Sequence, residues 1–434
     1  MHLSSSIELC TYNLFPMKAK LIGLFTCAFF VQIFAQNKLS ITESESLFLK
    51  NNLYLLANHY NIDISEAQIL QAKIWDNPQF GLEVNAWAPN NEQKFFNVNQ
   101  QGQKSAYIQQ LIHIGGQRKN AIELAKSNAK LANYDFEILL RELKFQLRQS
   151  YFEIYFDTKS VQELDKQLIN IKSVVNAYSE QNKKGNISLK DLVRLQNLQL
   201  NLQKNRTEII NNINENKKSL NLLLGYSGQE NLVLEPSIDE IKTYEKEVFG
   251  DLTNLQKAAL ENRPDFKKAT TQIENASINL KLQKSLAIPD LTLGASYDQR
   301  GGAFNNQTNL TLAFPLPLWN KNKGNIKSAK FEVDQAEQQK EIVTLEVKNE
   351  VKLALDKFQE QKTNFQITKT EIPSNLDTVY QGVYNNFIKR NISLLEFTDF
   401  LESYNESMIS INNIKKAYLK TCEELNYTTA SKIF

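Results

Sequence analysis

The stretch IPDLTLGASYDQRGGAFNNQTNLTLAFPLPLWNKNKGNIKSAK, residues 288–330, decides the fold. Leu291, Leu293, Ala295 and Tyr297 alternate with Thr292, Gly294, Ser296 and Asp298, the period-2 pattern of a strand with one apolar face. RGGAFNNQ then supplies the Gly/Asn chemistry of a loop between antiparallel strands. After it the alternation returns, with Leu310, Leu312, Phe314 and Leu316 set against Asn309, Thr311 and Ala313. The pattern predicts strands near 290–299 and 307–316, and a polar, helix-forming run follows them.

The same plan occurs earlier in the chain. NNLYLLANHYNIDISEAQILQAKIWDNPQFGLEV (51–84) parallels ENRPDFKKATTQIENASINLKLQKSLAIPDLTLGA (261–295): an Asn, a helical stretch, then Pro78 or Pro289 opening an alternating segment. GGQRKNAIELAK (115–126) matches NKNKGNIKSAK (320–330), with Ile122 over Ile326 and Ala125 over Ala329. GNISLKDLVRLQ (185–196) returns as RNISLLEFTDFL (390–401). The first-half strands are expected near 79–88, through Phe80, Leu82, Val84 and Ala86, and near 104–113, through Ala106, Ile108 and Ile112. Four strands of this length suit a tilted membrane crossing, for which roughly 9–11 residues are needed. Four cannot close a barrel, however, and an open edge cannot sit in lipid with its N–H and C=O groups unpaired. Either the chain oligomerises or the strands pack on helices in water.

Helices are expected elsewhere. From Gly116 to Lys184 there is no proline, enough for a rod of about 100 Å, and 324–389 is comparable apart from Pro373. Apolar positions recur near seven, as in Leu195, Leu202 and Ile209 with Leu192 and Leu198 between them, which is coiled-coil spacing. The chain folds back at 183–186 and at 389–391. Ser188 and Ser393 are placed to cap the returning helices, with Asp191 and Glu396 three residues on. The twin motif thus marks the tips of two antiparallel helical hairpins. Only 14 Gly and 9 Pro in 434 residues fit long helices better than several globular domains.

Several classes are excluded or disfavoured. The 50 basic and 48 acidic residues nearly cancel, so nucleic acid is not an expected partner. Met17-Lys18-Ala19-Lys20 followed by the apolar run 21–35 reads as a cleaved export signal with Met17 as the start; the run is shorter than the ~20 residues of a membrane helix. Phe25 and Thr26 make Cys27 a poor lipid-attachment site. Signal removal leaves Cys422 alone, without an internal disulfide. His2, His59 and His113 have no metal-ligand spacing, and His113, ending a strand, is given a packing or interfacial role. No phosphate-binding loop, catalytic triad pattern or metal motif points to an enzyme or a cofactor. Phe80, Tyr107, Tyr297 and Phe314 are read as an aromatic girdle.

AFPLPLWNKNKGNIKSAK (313–330), NRPDFKKA, IPDLTLG and the two Asn-Ile-Ser tips together resemble the outer membrane factors of tripartite efflux and secretion systems, in the heavy-metal and cation branch. The resemblance covers essentially the whole chain after the signal. It implies a mainly α protein with a small membrane β-barrel, twelve strands closing in a homotrimer, and a helical tunnel through the periplasm. It further implies an outer-membrane location in lipid, a periplasmic adaptor and an inner-membrane pump of the RND type. Residues 1–35 are then the upstream extension and signal, 36–230 the first repeat, 231–250 a linker and 251–434 the second repeat. Glu396 and Asp399 match the acidic ring that narrows the tunnel entrance, which favours cations. Asp191 and Arg194 are assigned to tip gating, with Arg194 or a neighbour holding the tips closed by pairing with an acid. Gly185, Asn186, Ser188, Asn391 and Ser393 are assigned to adaptor contact, although Arg390 stands where a small residue is expected. Export of drugs or proteins through the same fold, and a non-channel periplasmic scaffold, are the alternatives.

Overall fold

A computed structural model describes residues 38–434 except 90–92, 100–101, 229–231, 246–250, 301–303 and 370. The expected signal, with Met17 and Cys27, lies outside the described residues. The described residues begin with a two-residue strand β1 (Lys38–Leu39), followed by helices α1 (Ile41–Asn51) and α2 (Leu53–Lys73). A hairpin of β2 (Gln79–Val84) and β3 (Lys104–Ile112) leads into the 67-residue α3 (Gln117–Lys183), and α4 (Leu189–Leu224) returns antiparallel to it. The segment expected to be a linker carries β4 (Val233–Leu234), which pairs parallel with β1, and α5 (Ile238–Thr243). Tyr244 follows it into the core, 3% exposed.

The second half repeats the order. Helices α6 (Leu252–Asn262) and α7 (Pro264–Ser285) precede the hairpin β5 (Leu291–Arg300) and β6 (Phe304–Ala313); then come α8 (Lys323–Ile367), α9 (Glu371–Ile388) and the returning α10 (Leu394–Thr429). The rod that is continuous as α3 is thus divided into α8 and α9, near the expected interruption at Pro373. The chain turns from strand to rod through the left-handed region in both halves, at Gly116 (φ 79°) and at Asn322 (φ 55°). Asn322 tolerates this because its side chain bonds locally, Oδ1 accepting from Asn325 Nδ2 at 2.6 Å, while its Nδ2 donates across to the Gln283 carbonyl of α7 at 2.7 Å.

The strands form one antiparallel sheet in the order β2-β3-β5-β6, so the β3–β5 pairing joins the two halves. β2 stops at Val84, short of the expected 88, although Asn85 still donates to Gln103 and an isolated bridge joins Trp87 to Phe95. β6 ends at Ala313 rather than near 316, because Pro315 and Pro317 lack the N–H that a ladder needs. Register sorts the sheet into two faces. Phe80, Leu82, Ile108, Ala106, Leu293, Ala295, Leu310 and Leu312 share one, and this apolar face stays open to the surroundings, Leu310 being 88% exposed. Gln79, Glu83, Ser105, Gln109, Thr292, Ser296, Asn309 and Thr311 share the other.

Tyr107 belongs to the polar face, which corrects its place in the expected girdle. It lies opposite Gly81, and its ring occupies the space where a Cβ on Gly81 would stand, 2.4 Å away. The parity of the strand decides this: Tyr107 is one residue from Ile108 and therefore points the other way. Phe80 and Tyr297 keep to the apolar face.

Two apolar cores hold the helices. One gathers α1, the middle of α3, the end of α4, α8 and the end of α10 around Phe48, Leu147, Tyr151, Phe152, Leu220 and Leu425. The second runs toward the tips through Leu164, Ile171, Leu195, Leu202, Phe397 and Leu401. Leu192, Leu195, Leu198 and Leu202, picked out by their spacing, are all buried there. Between them stands a polar belt: Asp157, 5% exposed, accepts from Asn212 and from Lys416, each at 2.6 Å, and Asn412 donates to Ser160 at 3.0 Å.

Candidate gate at the helical tips

The two tips are built alike. At the first, Asn186 N–H reaches back to the Gln181 carbonyl at 2.9 Å across Gly185, whose φ is 75°; at the second, Asn391 N–H reaches the Asn386 carbonyl at 2.9 Å across Arg390, φ 64°. Each is a helix C-terminus closed by a left-handed residue. The asparagine side chains repeat the pairing, Asn186 to Gln181 Oε1 at 2.7 Å and Asn391 to Asn386 Oδ1 at 3.2 Å. Ser188 then accepts from the Asp191 N–H and Ser393 from that of Glu396, both at 3.2 Å, so each returning helix starts capped. In the second tip the Glu396 carboxylate also accepts from the Ser393 N–H at 2.7 Å, completing the capping box.

This reciprocal bond has an electrostatic consequence. The backbone and hydroxyl of Ser393 hold the exposed Glu396 carboxyl below the usual glutamate range. In the first tip Asp191 is too short to close the same box; instead Ser188 Oγ donates to Asp191 Oδ2 at 2.7 Å. The equivalent acids are therefore bound differently.

Across the hairpins, Arg194 Nη2 on α4 donates to Asp399 Oδ1 on α10 at 2.8 Å. All four residues singled out around the tips are thus committed there: Asp399 and Arg194 to each other, Glu396 to Ser393 and Asp191 to Ser188. The Arg194–Asp399 pair is largely exposed, with side chains 41% and 60% accessible, so its Coulomb energy alone is worth at most about 1 kcal/mol. Its strength comes from what lies beneath. Phe387 and Phe397 stack with ring centroids 4.0 Å apart, and Tyr178 of α3 stacks on Phe387 at 6.0 Å. These aromatics fasten one hairpin to the other. Residue-type reasoning missed them, although Phe397 and Leu401 share the helical spacing that located the Leu192–Leu202 stripe. Gly185, Asn186, Ser188, Asn391 and Ser393 are all exposed.

Two further clusters lie away from the tips. Arg263 of the NRPDF run has a side chain only 4% exposed; it pairs with Asp265, with Glu350 of α8 at 2.5 Å, and donates to the Thr428 carbonyl at 3.3 Å. His113, at the end of β3, lies 2.7 Å from Asp76 and 3.0 Å from Asp290. Among the described residues no group of three or more His, Cys, Asp or Glu side chains is arranged to hold a metal ion, and no helix is long and apolar enough to cross a membrane.

A sheet with an exposed apolar face, mounted on antiparallel rods that end in paired capped tips, defines a membrane-anchored helical conduit. The family model for outer membrane efflux proteins matches residues 46–226 and 255–384, one block in each half, and the chain belongs to that family. It is a channel protein of the outer membrane. The cobalt-zinc-cadmium resistance protein CzcC of Cupriavidus metallidurans is 21% identical over 303 residues, covering 70% of this chain and 69% of that one. The toxin and drug export protein A of Aggregatibacter actinomycetemcomitans is 25% identical over 224 residues, half of this chain and 47% of its own. In fold, the CusC channel aligns with a TM-score of 0.73 at 17% identity, over 91% of this chain and 93% of that one. The CmeC outer membrane channel of Campylobacter jejuni aligns at 0.71 and 16% identity, over 90% and 85%.

Proposed function

We propose that three copies of this chain close one barrel and one tunnel, and that the assembly passes metal cations outward from an inner-membrane RND-type pump through a periplasmic adaptor. The observation that carries the assembly is the sheet: its edges β2 and β6 have no partner strand among the described residues, and its apolar face is open. Edges of this kind are tolerated in lipid only when closed on another copy. The polar face, with Gln79, Gln109, Ser296 and Thr311, then lines the passage. The exposed tip residues Gly185, Asn186, Ser188, Asn391 and Ser393 meet the adaptor, and exposed Leu189 and Leu395 beside them add apolar surface for it. Cargo follows from the named cobalt-zinc-cadmium relative and from the acids Glu396 and Asp399 at the entrance.

Gate and selectivity are coupled in this reading. With the tips shut, Arg194 offsets the charge of Asp399, leaving Glu396 as the net negative group of the pair. When the hairpins part, Asp399 is freed and the entrance gains a carboxylate per copy, drawing in cations as it widens. Arg194→Glu places two acids face to face and is expected to raise single-channel conductance in planar bilayers and to sensitise cells to large antibiotics. Unchanged conductance would remove Arg194 from the gate. For cargo, a deletion strain is grown on cobalt, zinc, cadmium, copper and silver salts beside drugs, dyes and bile salts. Sensitivity confined to metals is expected; sensitivity to organic compounds alone would assign the channel to drug export.

A further inference from the structure

The base of the sheet holds a histidine between two carboxylates drawn from separate parts of the chain. His113 Nε2 lies 2.7 Å from Asp76 Oδ2, and its Nδ1 lies 3.0 Å from Asp290 Oδ1. Asp76 belongs to the segment entering β2, His113 to the turn leaving β3, and Asp290 to the turn entering β5. Continuing the register of Ile112 with Leu291 sets His113 opposite Asp290. The cluster therefore laces together three of the crossings between helices and sheet, from both halves of the chain.

We propose that His113, Asp76 and Asp290 form a proton-operated clamp, closed when the imidazole is cationic and loosened when it is neutral. Two carboxylates within 3.0 Å of one ring favour its cationic form. A neutral imidazole has one N–H and one lone pair, so it would turn a lone pair toward one of the two carboxylates; only the imidazolium presents N–H to both. Nδ1 and Asp290 Oδ1 are both shut off from solvent and neither makes a hydrogen bond among the described residues, so their 3.0 Å contact is one of charge alone. Neutral His113 would leave the two acids facing each other across an uncharged ring.

The surrounding charges agree. Asp290 is the strongest influence holding the His113 pKa above its ordinary value; partial burial opposes this and Asp76 adds to it. Charges at the adjoining helix ends are Lys73 on α2, Lys281 and Lys284 on α7, and Arg118 and Lys119 in the first turn of α3. Arg118 is committed elsewhere, donating to the Lys73 carbonyl and standing 4.6 Å over the Trp75 ring. Because the folded pKa is raised, the stabilisation is complete below about pH 6.5 and is lost as pH climbs through the folded value. The clamp thus weakens toward alkaline conditions. All three groups lie in one chain, so it forms whether or not three copies assemble.

The test uses full-length protein extracted in detergent. Mass-spectrometric exchange of the imidazole C2 hydrogen, followed from pH 5 to 9, gives the titration midpoint of His113. The wild-type midpoint is expected above 6.5, falling toward that value in Asp290→Asn and less far in Asp76→Asn. A wild-type midpoint at or below 6.5 would overturn the proposal without any variant having to fold. In parallel, the melting temperature of the wild type should fall between pH 6.5 and 8.5 more steeply than that of His113→Gln. Equal slopes would show that His113 bears no clamp.

Discussion

Arg390 turns the second tip with a φ of 64°, a conformation that costs a residue with a Cβ roughly 1–2 kcal/mol and costs glycine almost nothing. The first tip meets the same requirement with Gly185. Arg390→Gly is therefore expected to raise stability by about 1 kcal/mol, less the entropy that glycine adds to the unfolded chain, read as an increased thermal midpoint in detergent. Sequence comparison of the two tips exposed the mismatch but suggested a steric reading, an obstruction to close approach. The structure shows a backbone reason as well. The Arg194–Asp399 pair was only half legible: an acid three residues beyond Glu396, on the same helix face, can be counted, but which of several basic residues faces it depends on how two hairpins are rotated about each other, and that rotation is set by buried aromatics.

At the scale of the helices, the belt around Asp157 separates one apolar core from the next. Lys416 is only 14% exposed and is held by Asp157 at 2.6 Å and by Glu153 at 2.8 Å. Buried polar layers of this kind fix the register of coiled helices, since any slip leaves a charge without its partner. Asp157→Ala is expected to destabilise by about 2 kcal/mol, below the roughly 3–5 kcal/mol of a fully orphaned buried charge because Glu153 still holds Lys416. Denaturant unfolding measures it, and a double-mutant cycle with Lys416→Met separates the pair from the packing. Heptad counting located the leucine stripe on the tip side of this belt and passed over the belt itself. Asp157 and Ser160 look like solvent-facing residues in the sequence, and only the arrival of α10 from some 250 positions away encloses them.

The molecule as a whole was legible where a pattern repeats locally. Alternation found the four strands of the larger sheet, because one face must meet an apolar medium and the other must not, and the duplicated segments found the hairpins; the two-residue pair β1 and β4 carried no such pattern. It could not fix strand ends, which prolines and loops decide, nor the clamps at Arg263 and His113, whose partners come from distant elements. The two halves also differ mechanically. One rod runs unbroken for 67 residues as α3, while its counterpart is divided between Ile367 and Glu371. A continuous column resists bending along its whole length; a jointed one concentrates flexure at the joint. The first hairpin thus has the stiffness of a single mast, and the second that of two shorter spars, α8 and α9, laid against α10.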